Sequence, residues 1–230
     1  VAADVERDAV SGVIGQSWSW LTDSAHWSGV DGFPHRLAQQ LGYTSLTVAI
    51  ATAIALPIGL WIGHTGRLRG VAVVVAGSLR ALPTLGVLIF MVLWRGIGLT
   101  PAVVALVVLA VPPLLAGAYA GLESVDRQTI NAARAMGMTE WQVLGQVEIP
   151  LALPLIIGGI RSAVLQVVAT ATIAAYIGLG GLGRYLFDGI AVRDYPQMVA
   201  GSVVVVLLAL ILDAAFAATQ RLAQNAASPH

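Results

Sequence analysis

Charged residues are missing from four long stretches of the chain, residues 37–63, 96–122, 162–183 and 195–212. A helix needs about 20 mostly apolar residues to cross a bilayer, and each stretch meets or nearly meets that length. A fifth stretch, 71–94, meets it if Arg80 is accommodated within the span. The pattern therefore predicts an all-α integral membrane protein with five transmembrane helices, near 43–62, 71–94, 101–120, 154–178 and 196–218. Pro57, Pro83, Pro112 and Pro113 fall inside these spans. They are expected to act as packing kinks, since neighbouring groups can satisfy the carbonyls that proline frees.

Between the third and fourth spans lies a polar island, whose residues 131–150 read NAARAMGMTEWQVLGQVEIP. Ile130, Ala133 and Gly137 recur at spacings of three and four, with Ala132 and Met136 beside them. This predicts one short helix with a small-residue face. Gly137 stands where a left-handed helix end is needed. Thr139 and Gln142 then form a capping box, with Met138 and Val143 placed as its hydrophobic staple. A second short helix should follow, with Trp141, Leu144 and Val147 in phase, and Pro150 and Pro154 should end it before the next span. Two helices meeting at a glycine make a compact knob, suited to docking into a groove on another protein.

Composition agrees with the membrane reading. Hydrophobic residues make up 57% of the 230, charged residues 10%, and mean hydropathy is +0.83, against roughly 25% charged residues in soluble domains. Net charge is zero, which lends no support to nucleic-acid binding. The absence of cysteine excludes disulfides, cysteine nucleophiles and thiolate metal sites within this sequence. All twelve basic residues are arginines. A phosphate loop of the Gly-x4-Gly-Lys-Ser/Thr type needs its lysine on the terminal phosphates, so this sequence carries no standard ATPase site.

Other motifs lead away from enzymes. Gly178, Gly180 and Gly183 spell G-x-G-x-x-G, but a dinucleotide site needs that motif between a buried strand and a helix. Here the glycines follow a membrane-length helix and are expected to permit a tight turn and close packing. His26, His35, His64 and His230 are dispersed outside the apolar spans and no H-E-x-x-H occurs, so neither a metal site nor a catalytic residue is assigned. Ser162, Gln166 and Thr170 share one face of the fourth span and form a candidate polar stripe along a translocation path, or alternatively an interhelical hydrogen-bonding seam. Arg161 poses the partner question of any intramembrane arginine. Glu148 is one candidate partner, snorkelling to the surface is the other, and Asp213 is expected to be interfacial.

The segment 131–150 resembles the EAA loop of binding-protein-dependent ABC importers, E-A-A-x3-G-x9-I-x-L-P. Ala132, Ala133, Gly137, Val147, Ile149 and Pro150 stand at motif positions, while Asn131 replaces the leading glutamate. Arg80-Ala-Leu-Pro-Thr-Leu, Ile97-Gly-Leu-Thr-Pro-Ala and Tyr176-Ile-Gly-Leu-Gly-Gly-Leu-Gly are similar to the osmoprotectant branch of that family. The resemblance implies the type I importer permease fold and a membrane subunit that moves glycine betaine, choline, carnitine or proline. It also implies a second permease subunit, identical or paralogous, an extracytoplasmic solute-binding protein, and separate ATPase subunits that carry ATP and Mg. Those ATPases would dock at Asn131, Ala132, Ala133, Gly137, Trp141, Val147, Ile149 and Pro150. Alternatives are a permease for amino acids or another zwitterion, or a self-contained channel or carrier, for which paired broken helices are not evident in the sequence.

These readings divide the chain into an outer interfacial segment, 1–40, a permease domain, 41–220, and a cytoplasmic tail, 221–230. In the first, Trp18, Trp20 and Trp27 are expected to anchor at the membrane surface. The start lacks the basic residues and apolar core of a signal peptide, and no separate soluble domain is expected after the spans. A bacterial-type plasma membrane location is expected, with the N-terminus outside and the C-terminus in the cytoplasm. Arg67, Arg69, Arg127, Arg134 and Arg221 then lie inside, against Arg36, Arg95, Arg184 and Arg193 outside. Trp61 and Trp94 fall at opposite faces, as interfacial anchors do.

Overall fold

A computed structural model describes residues 2–227, and side chains over 12–225. Among the described residues every regular element is helical. The chain runs through α1 (Ala2–Thr22), α2 (Phe33–Thr65), α3 (Arg69–Arg80), α4 (Thr84–Arg95) and α5 (Leu99–Glu123). It continues through α6 (Arg127–Ala135), α7 (Glu140–Val143), α8 (Ile149–Ala174), α9 (Gly183–Val192) and α10 (Tyr195–Ala227). Four helices are long and apolar enough to span a membrane, and the bent pair α3–α4 brings the number to five.

Small residues set the arrangement. Without a hydrophobic force between helices in lipid, close backbone approach supplies the packing, and Gly-x3-Gly repeats permit it. Two such repeats lie within the spans. Gly59 and Gly63 on α2 face Ala118 and Leu122 on α5: a Cβ built on either glycine would lie 2.5 Å and 2.7 Å from those side chains. Gly117 and Gly121 on α5 face α8. A Cβ on Gly117 would stand 2.6 Å from the Gly159 Cα, backbone against backbone. The fully buried α5 residues Ala105, Leu106, Ala110 and Ala118 complete its packing. This helix is therefore held between α2 and α8 and is the axis of the fold.

The second apolar stretch departs from the expected single span. It is two 12-residue helices meeting at 85°. Pro83 does more than kink the helix: its ring disfavours helical geometry at Leu82 and it has no N–H to donate. The helix stops at Arg80, and α4 restarts from Pro83 as its N-cap. Pro57, Pro112 and Pro113 by contrast sit inside continuous helices.

Pro150 and Pro154 do not end a helix either. From Glu140 to Ile177 the chain is one continuous helical run. A π-helical turn over Leu144–Glu148 widens the backbone just before Pro150, and the Ile149 N–H reaches back five residues to the Leu144 carbonyl. The wider turn absorbs the bond Pro150 cannot make, and a proline in a first turn costs little. Pro150 lies in the first turn of α8 and Pro154 within it.

The glycine segment after α8 makes the tight turn expected of it, with φ of +89° at Gly178 and +92° at Gly181. The Gly181 N–H donates to Gln39 Oε1 at 2.9 Å, so this turn is tied to α2. Beyond it, α9 lies between the last two predicted spans. Trp20 packs edge-on to Phe33 and Tyr185, with centroids at 5.5 Å and 5.3 Å, and stacks on His26 at 3.9 Å. Trp18 and Trp27 remain exposed. Burial pushes the Tyr185 phenol up to about 12, so it stays a neutral donor, 2.6 Å from the Asp31 carbonyl.

Candidate functional site

The polar island folds as a knob, and its first helix carries complete end signals. The Asp126 carboxylate accepts from the Gln128 N–H at 2.9 Å, capping α6. At the other end Gly137 takes φ +86°. Its N–H donates to the Arg134 carbonyl at 3.0 Å, and the Met138 N–H donates to the Ala133 carbonyl at 3.3 Å. That pair of bonds is the Schellman motif. A capping box opens α7, with the Thr139 N–H donating to Gln142 Oε1 at 2.8 Å.

The knob has two faces. Ile130, Ala133 and Val143 are buried against Leu122, Val125, Ala152 and Ile156 of the spans, with Met138, Leu144 and Val147 packed around them. The outward face carries Asn131, Ala132, Gly137 and, beyond them, Met136 and Trp141, which are 77% and 83% exposed. Ile149 is half-buried and Pro150 exposed at the start of the span. The eight residues singled out from the sequence thus divide: Ala133 and Val147 fasten the knob, Ile149 and Pro150 begin the span, and Asn131, Ala132, Gly137 and Trp141 are presented outward. Met136 belongs with the latter. Its exposure on a face of small residues was the available signal.

A polar network joins knob to spans. His64, in the last turn of α2, places Nδ1 2.5 Å from Glu148 Oε2 and Nε2 3.3 Å from Glu140 Oε2. The Glu148 side chain is 4% exposed and that of His64 14%. Glu140 also receives two bonds from Arg134, both at 2.9 Å, which hold the Arg134 guanidinium further in its charged form. The link from α6 through Glu140 and His64 to Glu148 ties the knob to the C-terminal end of α2. Sequence reasoning missed it because His64 and Glu148 are 84 positions apart. Glu148 is consequently not the partner of Arg161. That arginine makes a two-pronged pair with Asp213 on α10, at 2.6 Å and 2.7 Å, so Asp213 is a helix-to-helix tie.

The stripe on α8 also divides. Ser162 and Gln166 are exposed and line a cavity of about 280 Å³ with Arg80 and Thr84. Thr170 is 2% exposed, donates to the Gln166 carbonyl at 2.7 Å, and does not reach that cavity. Single cysteines replacing Ser162 or Gln166 in this cysteine-free chain should therefore react with a small water-soluble thiol reagent. Cysteines at Thr170, Val164 and Val168 should resist it. Equal reactivity at all five positions would contradict this division.

A family model described as the binding-protein-dependent transport system inner membrane component matches residues 55–224. The chain is 33% identical over 187 residues to the glycine betaine/carnitine/choline transport system permease protein OpuCB of Bacillus subtilis, covering 81% of this chain and 86% of that one. It is 37% identical over 180 residues to the osmoprotectant import permease protein OsmW of Salmonella typhimurium, covering 76% and 84%. In fold it is similar to a solved structure of the MetNI methionine ABC transporter, with a TM-score of 0.74 at 22% identity, over 83% of this chain and 95% of that one. The family match takes in the knob, the α5–α8 packing and the last span together, and the chain belongs to the inner-membrane components of binding-protein-dependent transport systems.

Proposed function

We propose that the chain is the membrane subunit of an ATP-driven importer for a small zwitterionic or quaternary-ammonium osmoprotectant, such as glycine betaine, carnitine, choline or proline. The observation that carries the ATP-driven part is the knob, a self-capped two-helix unit fastened by its inner face and bare on its outer one. Such a unit transmits force if a partner grips it. ATPase subunits dock on Met136, Trp141, Asn131 and Ala132 and supply the ATP and Mg chemistry. A second permease subunit completes the path, and an extracytoplasmic binding protein delivers solute. The names of the similar permeases support the solute class, and the arginine distribution supports a cytoplasmic knob and C-terminus with the N-terminus outside.

The test uses complexes purified through a tag on this chain, reconstituted with ATP inside or outside the vesicles. ATP-dependent accumulation of at least one of these four solutes is expected. Accumulation that ignores ATP and follows an ion gradient would assign the chain to the secondary carriers instead.

A further inference from the structure

Arg80 stands apart among the arginines of the spans. Arginine is always charged, and one within a membrane span is costly, so without a partner it is by default a functional-site candidate. Arg161 is paired, with Asp213. Among the described residues no carboxylate lies within ion-pair distance of Arg80. It is placed at the end of α3, where the chain turns through 85° into α4.

There Arg80 lines the cavity that also holds Ser162, Gln166 and Thr84. The donors thus come from three separate helices, and no acidic side chain lines the space. An arginine fork can take both oxygens of a carboxylate at once, while hydroxyl and amide groups can complete its coordination. The facing wall is α5 around Pro112 and Pro113. Neither proline has an N–H for the carbonyl four residues before it, at Val108 and Leu109. That turn therefore leaves backbone carbonyls without their helical donors beside the cavity wall. No aromatic ring lines the cavity, so it lacks the cation–π cage that would hold a quaternary ammonium by itself. At about 280 Å³ it is near the lower limit of the roughly 300–1,000 Å³ usual for small-molecule sites.

We infer that this cavity is a carboxylate-recognising station on the translocation path, with Arg80 as the anchoring cation. It favours zwitterions that carry a carboxylate, such as glycine betaine, carnitine or proline, over choline, which has a hydroxyl instead. The inference rests on the transport reading above and adds a solute preference built into the membrane subunit itself.

Leu82→Cys places a reporter on the cavity wall without touching the polar groups. Detergent-purified complexes without binding protein are labelled with a thiol reagent in the presence of glycine betaine or choline at equal concentration. Glycine betaine should slow labelling severalfold, and choline should not. Adding Arg80→Gln should remove the protection, and Arg80→Lys should keep part of it. Equal protection by both solutes, or by neither, overturns the inference even if the Arg80 variants fail to assemble. ATP-driven uptake by the unsubstituted complex reads the transport proposal separately. An active transporter without selective protection at residue 82 would therefore defeat this inference alone.

Discussion

Gly137→Val is expected to uncouple ATP hydrolysis from solute while the complex still assembles. A Cβ at this position meets nothing within 4 Å, so the damage is conformational. The residue sits at φ +86°, where an L side chain is strained by roughly 1–2 kcal/mol and a β-branched one by more. Each 1.4 kcal/mol changes a population about tenfold. The Schellman turn therefore opens, α6 and α7 lose their mutual angle, and the outward face no longer presents Asn131, Met136 and Trp141 together. Solute-stimulated ATPase activity of the reconstituted complex should fall about tenfold or more. Gly137→Asn should retain most of it, because asparagine is among the residues that tolerate the left-handed region. Normal stimulation in the valine variant would detach the knob from coupling.

His64→Ala should produce the largest loss of stability. It strands the Glu148 carboxylate, 4% exposed, beside the π-helical turn that feeds the knob into α8. Leaving a buried hydrogen-bonding group without its partner typically costs about 1–3 kcal/mol, and more for a charged one, whereas replacing both partners by apolar groups can be nearly neutral. Thermal unfolding of the detergent-solubilised chain should therefore drop sharply for His64→Ala and recover for the double replacement His64→Leu with Glu148→Leu. A single variant as stable as the parent would mean that Glu148 is satisfied elsewhere. If the double variant is stable but poorly stimulated by solute, the network transmits force in addition to holding the fold.

Local signals in the sequence were reliable where the structure they specify is also local. The helix ends at Gly137 and Thr139 depend on contacts within five residues, and each takes the expected form. The knob is legible for that reason. The apolar runs likewise gave the spans, because length and the absence of charge suffice to define one. What failed depended on the wider surroundings of a residue. Pro83 breaks its helix whereas Pro57, Pro112 and Pro113 do not, and composition treats all four alike. Pro150 has the sequence signature of a terminator because a π-helical turn five residues long leaves no mark in hydropathy. The His64–Glu148 and Arg161–Asp213 pairs join positions far apart in the chain, and only the packing of α2 and α10 against the α8 segment brings such groups together. The Gly-x3-Gly repeats at 59–63 and 117–121 were legible all along, as a pattern with a known packing consequence.

The central claim, that the outward face of the knob is gripped by an ATPase, is tested most directly by site-specific photo-crosslinking in intact membranes. A photoreactive residue at Met136 should capture a protein that carries a Gly-x4-Gly-Lys-Ser/Thr phosphate loop. The same residue at Phe90, which is 62% exposed on α4, should capture none. Capture of such an ATPase from position 136 and not from position 90 is the predicted result. Equal capture from both positions, or crosslinks from position 136 to lipid or to this chain alone, would contradict the account.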